Sequence, residues 1–519
     1  MSNKCGCGYY PTVIVPGIGQ SKVDLLNNSG GRVKSAWPLD LDEKKLIAEI
    51  APSIIRAIVL RRDAGMCACV TKALTNALEP LASTRDGFPK AQLRVVEYPN
   101  SVADCTPDER RYIYKMVPME ELGEVIGEDH LFFFAYHSFG QPYETARQLH
   151  LFIQNVKEKT GHDKVNLVPV SLGGSVSIAY FDAYGDRGDI HRVMNFVPAM
   201  NGSTLIADVL SGDIDFSAAE ELFSLLFNNS TAKKVSKVLS LMPDGLDEEF
   251  MKAVLSAARD VIFVNSPAMW AVVPRERYEA LRDTYLKDGR HGALLAKAER
   301  FYRAASRLGE LLDEQTKRGV EFFTVCGYNR QLIPFVKSSN LNSDTIVDLK
   351  SASLGAFSPD RGTFIPKDYK PKNPVCKNKS HNHISPDRTV DASVSLFPES
   401  TWFFKDQVHD DVAYNDVALK LCKRALTDDS FKDIYSDVNF PQFNGTRNIR
   451  EIRYKLLPRA RELMNTPDLH EHVTEELSLA IKQCEELFTY TVVENNDLTE
   501  KAAERLRAAV QAAEPEMTK

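Results

Sequence analysis

"VNLVPVSLGGSVSIAY", residues 165–180, decides the fold. A short β-branched apolar run stops at a corner carrying Ser171, and Gly173 and Gly174 open a second apolar segment of helical character. This reads as a buried strand turning sharply into a helix. Ser171 is then either a nucleophile exposed on the corner or a small residue in a tight turn. Alone, an x-x-S-x-G pattern is weak, since many chains contain it by chance, and the turn reading is preferred. Pro169 adds to that preference, because it stands where such a corner usually has a small residue.

The flanks supply the context. "TVIVPG" (12–17), "LRVVEYP", "HLFFFAY" and "HRVMNFVP" read as strands, the second and third as interior ones. Between them lie helical patterns, "KKLIAEIAPSIIRAIVLRR", with a break expected at its proline, and "QPYETARQLHLFIQNVKEKTG", closed by Gly161. Strands alternating with helices predict a mostly parallel sheet covered on both faces. Residues 203–318 depart from this rhythm with long helical patterns ("SAAEELFSLLFNN", "DEEFMKAVLSAARDVI", "GALLAKAERFYRAASRLGELLDEQTKRG"), as a cap or lid would. Strands resume with "VEFFTVCGY" (320–328) and "TWFFKDQVH" (401–409), separated by a polar, Pro- and Lys-rich loop around 356–386. The expected division is a core of 1–202 and 319–435, a helical insertion of 203–318, and three amphipathic helices within 440–519. By composition that last unit resembles the three-helix modules appended to bacterial surface and glycan-active proteins. A plain helical extension packed on the core is the alternative.

Bulk properties narrow the function classes. With 519 residues, 43% hydrophobic and 26% charged, the chain is an ordinary globular one, too long for a single simple core. A net charge of −7 argues against general nucleic-acid binding, which needs a basic face. No apolar run approaches the roughly 18–20 residues that span a bilayer, and the start has no signal-peptide layout. The chain as written is therefore expected to be cytoplasmic, the other case being a secreted form that has lost its leader. Nine cysteines are spread along it. The pairs Cys5/Cys7 and Cys67/Cys69 have no histidines at zinc spacing in the sequence, so structural or free thiols are expected, with no metal and no cofactor. Triplets such as Asn201–Ser203 and Asn444–Thr446 matter only in a secreted eukaryotic setting.

A serine hydroxyl becomes a nucleophile when a histidine takes its proton and a carboxylate orients that histidine. On an α/β-hydrolase fold the chain order is serine, acid, histidine, each after a strand. Ser171 fits first and His409, directly after "TWFFKDQV", fits last. His381 and His383, in the polar loop, and His191, opening a strand, are weaker bases. For the acid, Asp344 in "NSDTIVDLKSASLG" and Asp387 in "SPDRTVDASVSL" compete, and local reading leaves both open. An oxyanion would be held by backbone N–H groups of Leu172 and Ile18, the latter in "VPGIGQS". That glycine loop lacks both P-loop and Rossmann spacing.

Taken together, "PTVIVPGIGQSKV", "FFFAYHSFGQPYETARQLHLFI", "VSLGG", "NSPAMWAVVP" (265–274) and "SDTIVDLKSASL" resemble the lecithin:cholesterol acyltransferase-like branch of the lipase superfamily. The resemblance is one of short ordered motifs over roughly residues 10–425, and the corner departs from it at Pro169 and Val170. It implies an α/β-hydrolase fold with an inserted helical cap and Asp344 as the acid, "PDRTV" around Asp387 being similar to a non-catalytic echo in related bacterial lipases. It also implies an acyl pocket with Tyr136 and Trp270 on its wall, although Trp270 could equally be a core tryptophan of the cap. The expected substrate is a lipid or other hydrophobic ester, with peripheral contact to lipid surfaces. Calcium or zinc sites of the family are not visible in the motifs. The competing readings are a non-catalytic binding protein on the same scaffold and a serine peptidase or amidase.

Overall fold

The computed structural model describes residues 7–40, 42–215, 237, 240–243, 245–445, 451–452, 456–465, 469–489 and 496–514. Among the described residues the strands are β1 (Thr12–Val15), β2 (Val23–Leu26), β3 (Arg32–Trp37), β4 (Leu93–Val95), β5 (Leu131–Phe133), β6 (Val165–Pro169), β7 (Ile190–Phe196), β8 (Glu321–Tyr328), β9 (Arg330–Gln331), β10 (Asn342–Ser343), β11 (Thr401–Lys405) and β12 (Phe443–Gly445). Seven of them form one sheet in the order β12-β11-β8-β7-β6-β1-β5, with every neighbouring pair parallel.

Alternation along the strands builds two cores, one on each face. Val13, Val15, Leu167, Val193, Phe322 and Phe403 face one side, against the helices Pro142–Thr160 and Gly173–Tyr184. Ile14, Val168, Met194, Phe323, Trp402 and Phe404 face the other, against Leu421 and Ala425 of the helix Asp416–Thr427. The sheet is thus an α/β layer buried on both faces, with all its carboxyl ends along one rim.

Several expectations need correction. "LRVVEYP" contributes β4 to a separate antiparallel sheet, β3-β2-β4, whose half-exposed pattern suits an edge rather than an interior strand. The helix Glu43–Leu60 runs through Pro52 without a break. Leu46, Ile50, Ile54 and Ala57 bury one continuous stripe beside Val70 and Leu74 of the helix Met66–Leu78, which outweighs the lost hydrogen bond. The sheet also extends past residue 435, because β12 forms its edge on β11. A three-residue strand holding Asn444 and Gly445 carries almost no periodic signal.

Within 203–318 the described elements are helical, including Leu246–Ala258, Arg275–Tyr285, Gly292–Ser306 and Leu308–Lys317, and Ile214 makes a single antiparallel bridge to Val336. The stretch "SAAEELFSLLFNN" lies outside the described residues. Near the carboxyl end, the helices Leu457–Met464, Glu471–Thr489 and Asn496–Ala513 share a core of Leu463, Leu477, Ala480, Ala503, Leu506 and Val510. Among the described residues, no helix is long and apolar enough to cross a membrane.

Candidate active site

The rim of carboxyl ends, where parallel sheets place their ligands, gathers the candidate residues. Ser171 follows β6 with φ of 53°, a left-handed conformation that a non-glycine residue holds only under constraint. The constraint is visible. The Ser171 N–H donates to Phe196 O at 3.0 Å, and the Ser171 carbonyl accepts from Gly174 N–H and Ala199 N–H, each at 3.0 Å. Gly173 permits the corner, since a Cβ there would lie 2.2 Å from Val15 O, a backbone atom of β1. Any side chain at this position would push the helix off the sheet.

Pro169 has a physical account. The N–H groups of Asn166 and Val170 bond towards β1, at Pro11 O and Val15 O, and those of Val165 and Ser171 bond towards β7, at Asp189 O and Phe196 O. The missing N–H of Pro169 therefore faces β7, where the register already shifts between Val165 and Leu167. From Leu167 onwards the pairing is regular, Leu167 with Val193 and Val170 with Phe196, so the proline forfeits one rung at the end of the strand.

Asp344 follows the small β9–β10 hairpin after β8. Asp344 is fully buried, and its Oδ1 accepts from Ile346 N–H at 3.1 Å and Val347 N–H at 2.8 Å. These bonds leave Oδ2 to accept from His409 Nδ1 at 2.7 Å, while the His409 N–H donates to Asp344 O at 2.7 Å. His409, 7% exposed, sits past β11, and its Nε2 lies 2.8 Å from Ser171 Oγ. Burial works against the protonated imidazole, yet the charge and hydrogen bond of Asp344, with Asp410 adding, hold the His409 pKa above its ordinary value. With Nδ1–H committed to Asp344, Nε2 is the lone-pair nitrogen facing the serine.

Asp387 is engaged elsewhere. Its Oδ1 accepts from Ser385 Oγ, Thr389 Oγ1 and Thr389 N–H, and its Oδ2 lies 2.8 Å from Lys405 Nζ. Burial raises its pKa, but the Lys405 and hydroxyl hydrogen bonds outweigh it and hold the carboxyl below its usual range.

The loop after β1 lies against the corner. A Cβ on Gly17 would be 3.0 Å from Ser171 Cβ. Gly17 N–H is taken by Gln20 Oε1 at 2.6 Å, and Gln20 Nε2 donates to Met116 O at 2.8 Å. Neither the Ile18 nor the Leu172 N–H donates to a backbone acceptor among the described residues.

Of the two residues expected on a pocket wall, Tyr136 lines a small cleft with Leu172 and Ala268, whereas Trp270 lies in a core. The buried Tyr136 hydroxyl donates to Pro16 O at 2.6 Å, tying it to the loop after β1. Trp270, 2% exposed, belongs to the helical block's own core with Leu210, Tyr278, Leu281 and Leu294, and its indole N–H donates to Val264 O at 2.8 Å. Of the two readings of Trp270, the structure gives the packing one.

Sequence reasoning missed Gln20 and Gly327. A Cβ at Gly327 would lie 2.7 Å from Asp344 Cβ and 2.8 Å from Gln407 O, so a glycine at the end of β8 lets the acid and histidine loops meet. The "CGY" ending of that strand was the available signal. The C-x-C reading also changes: Cys7 Sγ lies 3.2 Å from His130 Nε2 and 3.3 Å from His162 Nε2, partners far away in sequence. His191 lies beside Asp429 with its ring tilted against Tyr10, and His381 and His383 lie together in the polar loop.

No family model and no curated protein matches the chain. Among solved structures, a chain from the crystal structure of a Tle4–Tli4 complex is similar at 12% identity, covering 80% of this chain and 98% of that one, with a TM-score of 0.33.

Proposed function

We propose that this chain is a serine hydrolase of the α/β-hydrolase type, acting on carboxylic esters through an acyl-enzyme. One observation carries the reading: an unbroken hydrogen-bond chain from Ser171 Oγ through both nitrogens of His409 to the buried Asp344 carboxylate. Ser171 attacks the acyl carbon as its proton passes to His409 Nε2. Asp344 keeps the imidazole in the required tautomer and stabilises the imidazolium. The tetrahedral oxyanion takes hydrogen bonds from the N–H groups of Ile18 and Leu172. Collapse expels the alcohol, which leaves with the proton from His409. Water or a second alcohol then gives its proton to His409, attacks the acyl-enzyme and releases Ser171, which recovers the proton.

A hydrophobic or lipid acyl chain is the substrate class that the acyltransferase-like motifs suggest, and its pocket would be formed without Trp270. The binding-only alternative requires His409 to stand away from Ser171, and their 2.8 Å separation speaks against it. An active-site-directed fluorophosphonate tests the proposal. It should label the wild-type chain and leave Ser171→Ala unlabelled; an unlabelled wild type, or equal labelling of the variant, refutes it.

A further inference from the structure

The polar loop between the acid and the last central strand carries residues that the esterase reading does not use. Cys376, His381, His383 and Glu399 each turn one donor atom inwards, and the four atoms lie within 4.8 Å of one another. Cys376 Sγ is 3.6 Å from His381 Nδ1 and 3.5 Å from Glu399 Oε1, and His381 Nδ1 is 2.8 Å from the same carboxylate oxygen. A tetrahedral ion with a metal–sulfur bond of about 2.3 Å and a metal–nitrogen bond of about 2.0 Å has an S···N edge of about 3.5 Å. The thiol and imidazole already stand at that separation.

His383 supplies an independent observation. It is 3% exposed, its Nδ1 is 2.8 Å from Gln442 Oε1, and its Nε2 is buried with no hydrogen-bond partner. A buried ring nitrogen left without a partner costs free energy. Gln442 accepting from Nδ1–H leaves a lone pair on Nε2. Gln442 is itself fixed, because its Nε2 donates to Pro398 O at 2.6 Å. An imidazole held on one nitrogen by an outer acceptor, with a buried lone pair left on the other and a thiol, an imidazole and a carboxylate beside it, is arranged as a metal ligand.

We propose that Cys376, His381, His383 and Glu399 bind one divalent transition-metal ion of the zinc class. Four protein ligands of soft and borderline character match zinc and its cobalt substitute and leave no open position, so the ion is structural. Loading expels the Cys376 thiol proton to solvent. It also leaves the remaining His381 proton on Nε2, which then donates to solvent and gives up the bond from the Asn378 amide, 2.8 Å away, whose oxygen stays with Ser380. The ion ties the long loop to Glu399, just before β11, the strand that leads to His409. It thereby fixes a connection that otherwise has little regular structure of its own.

The test uses the full chain carrying Cys7→Ser, which removes the Cys7–His130–His162 cluster as a competing site. Metal-stripped protein is titrated with zinc against a chromogenic chelator, then with cobalt(II) followed by near-ultraviolet absorption. The expected result is about one tight equivalent of metal and a thiolate-to-cobalt charge-transfer band. Adding Cys376→Ser should abolish that band, and either Cys376→Ser or His381→Ala should weaken zinc binding by at least about 100-fold. Ser171→Ala should keep both metal and band, which separates this inference from the esterase reading. Both added substitutions are at partly exposed positions, so a folded protein, checked by circular dichroism, is expected even if a His383 variant collapses. Failure of the Cys7→Ser chain to hold a tight equivalent, or an unchanged band and affinity after Cys376→Ser, overturns the proposal.

Discussion

Gly173→Ala tests whether the packing of one helix on one strand sets the chemistry of the corner. The new Cβ would sit 2.2 Å from Val15 O and 3.2 Å from Val15 C. Carbon and oxygen approach to about 3.3 Å at closest in ordinary contacts, so the overlap is about 1 Å. Both obstructing atoms are backbone of β1, a central strand, and no rotamer change relieves the clash. The helix Gly173–Tyr184 must lift instead, carrying the Leu172 N–H and Ser171 away from His409 and the Ile18 loop. Overpacking of this kind costs about 1–3 kcal/mol, and a misplacement of about 1 Å lowers a positioned reaction by about 100-fold. Urea unfolding and the second-order rate of fluorophosphonate labelling should both register the change. Gly292→Ala is the control, because a Cβ there meets nothing within 4 Å and the residue opens a helix. A folded Gly173→Ala protein labelled within about three-fold of the wild-type rate would refute the idea that this contact positions the nucleophile.

Other perturbations separate the parts of the site. Asp344→Asn should slow labelling by about 10⁴-fold, through the wrong imidazole tautomer, whereas Asp387→Asn, removing a carboxylate that faces Lys405, Ser385 and Thr389, should leave the rate within about three-fold; kinetics of both variants decide between the two acids. Because His409 must be neutral to accept the serine proton and its pKa is held above 6.5, labelling should rise with pH through a midpoint above that value. In Asp344→Asn the supporting charge is gone while burial remains, so the residual activity should show its midpoint moved to lower pH, and an unmoved midpoint would show that Asp344 does not set it. Tyr136→Phe leaves Pro16 O without its buried donor, which should cost about 1–3 kcal/mol in urea unfolding and slow labelling several-fold; a stability loss with no rate change would make Tyr136 purely structural.

How far the sequence could be read depended on the range over which each signal acts. The corner at Ser171 was legible because strand, turn and glycine pair are local, and period and turn chemistry report them directly. His409 was legible from its place after "TWFFKDQV", again a local strand pattern. Which aspartate meets His409 was not local. Asp344 and Asp387 both sit in Asp-x-x-Val turns, and in both the carboxylate caps its own turn, at Val347 N–H in one and Thr389 N–H in the other. What separates them is the second oxygen, which meets His409 in one case and Lys405 in the other, contacts 65 and 18 positions away along the chain. Trp270 misleads for the same reason: a large apolar residue in a helical insertion has one composition whether it lines a pocket or fills a core. The same limit explains the histidines. In sequence Cys376 was one thiol in a polar loop, and only the meeting of that loop with Glu399 and Gln442 turns His381 and His383 from poor candidates for the base into candidates for ligands. Chemistry assembled within one strand and turn is written in the local pattern; chemistry assembled by the return of a distant loop is written only in the fold.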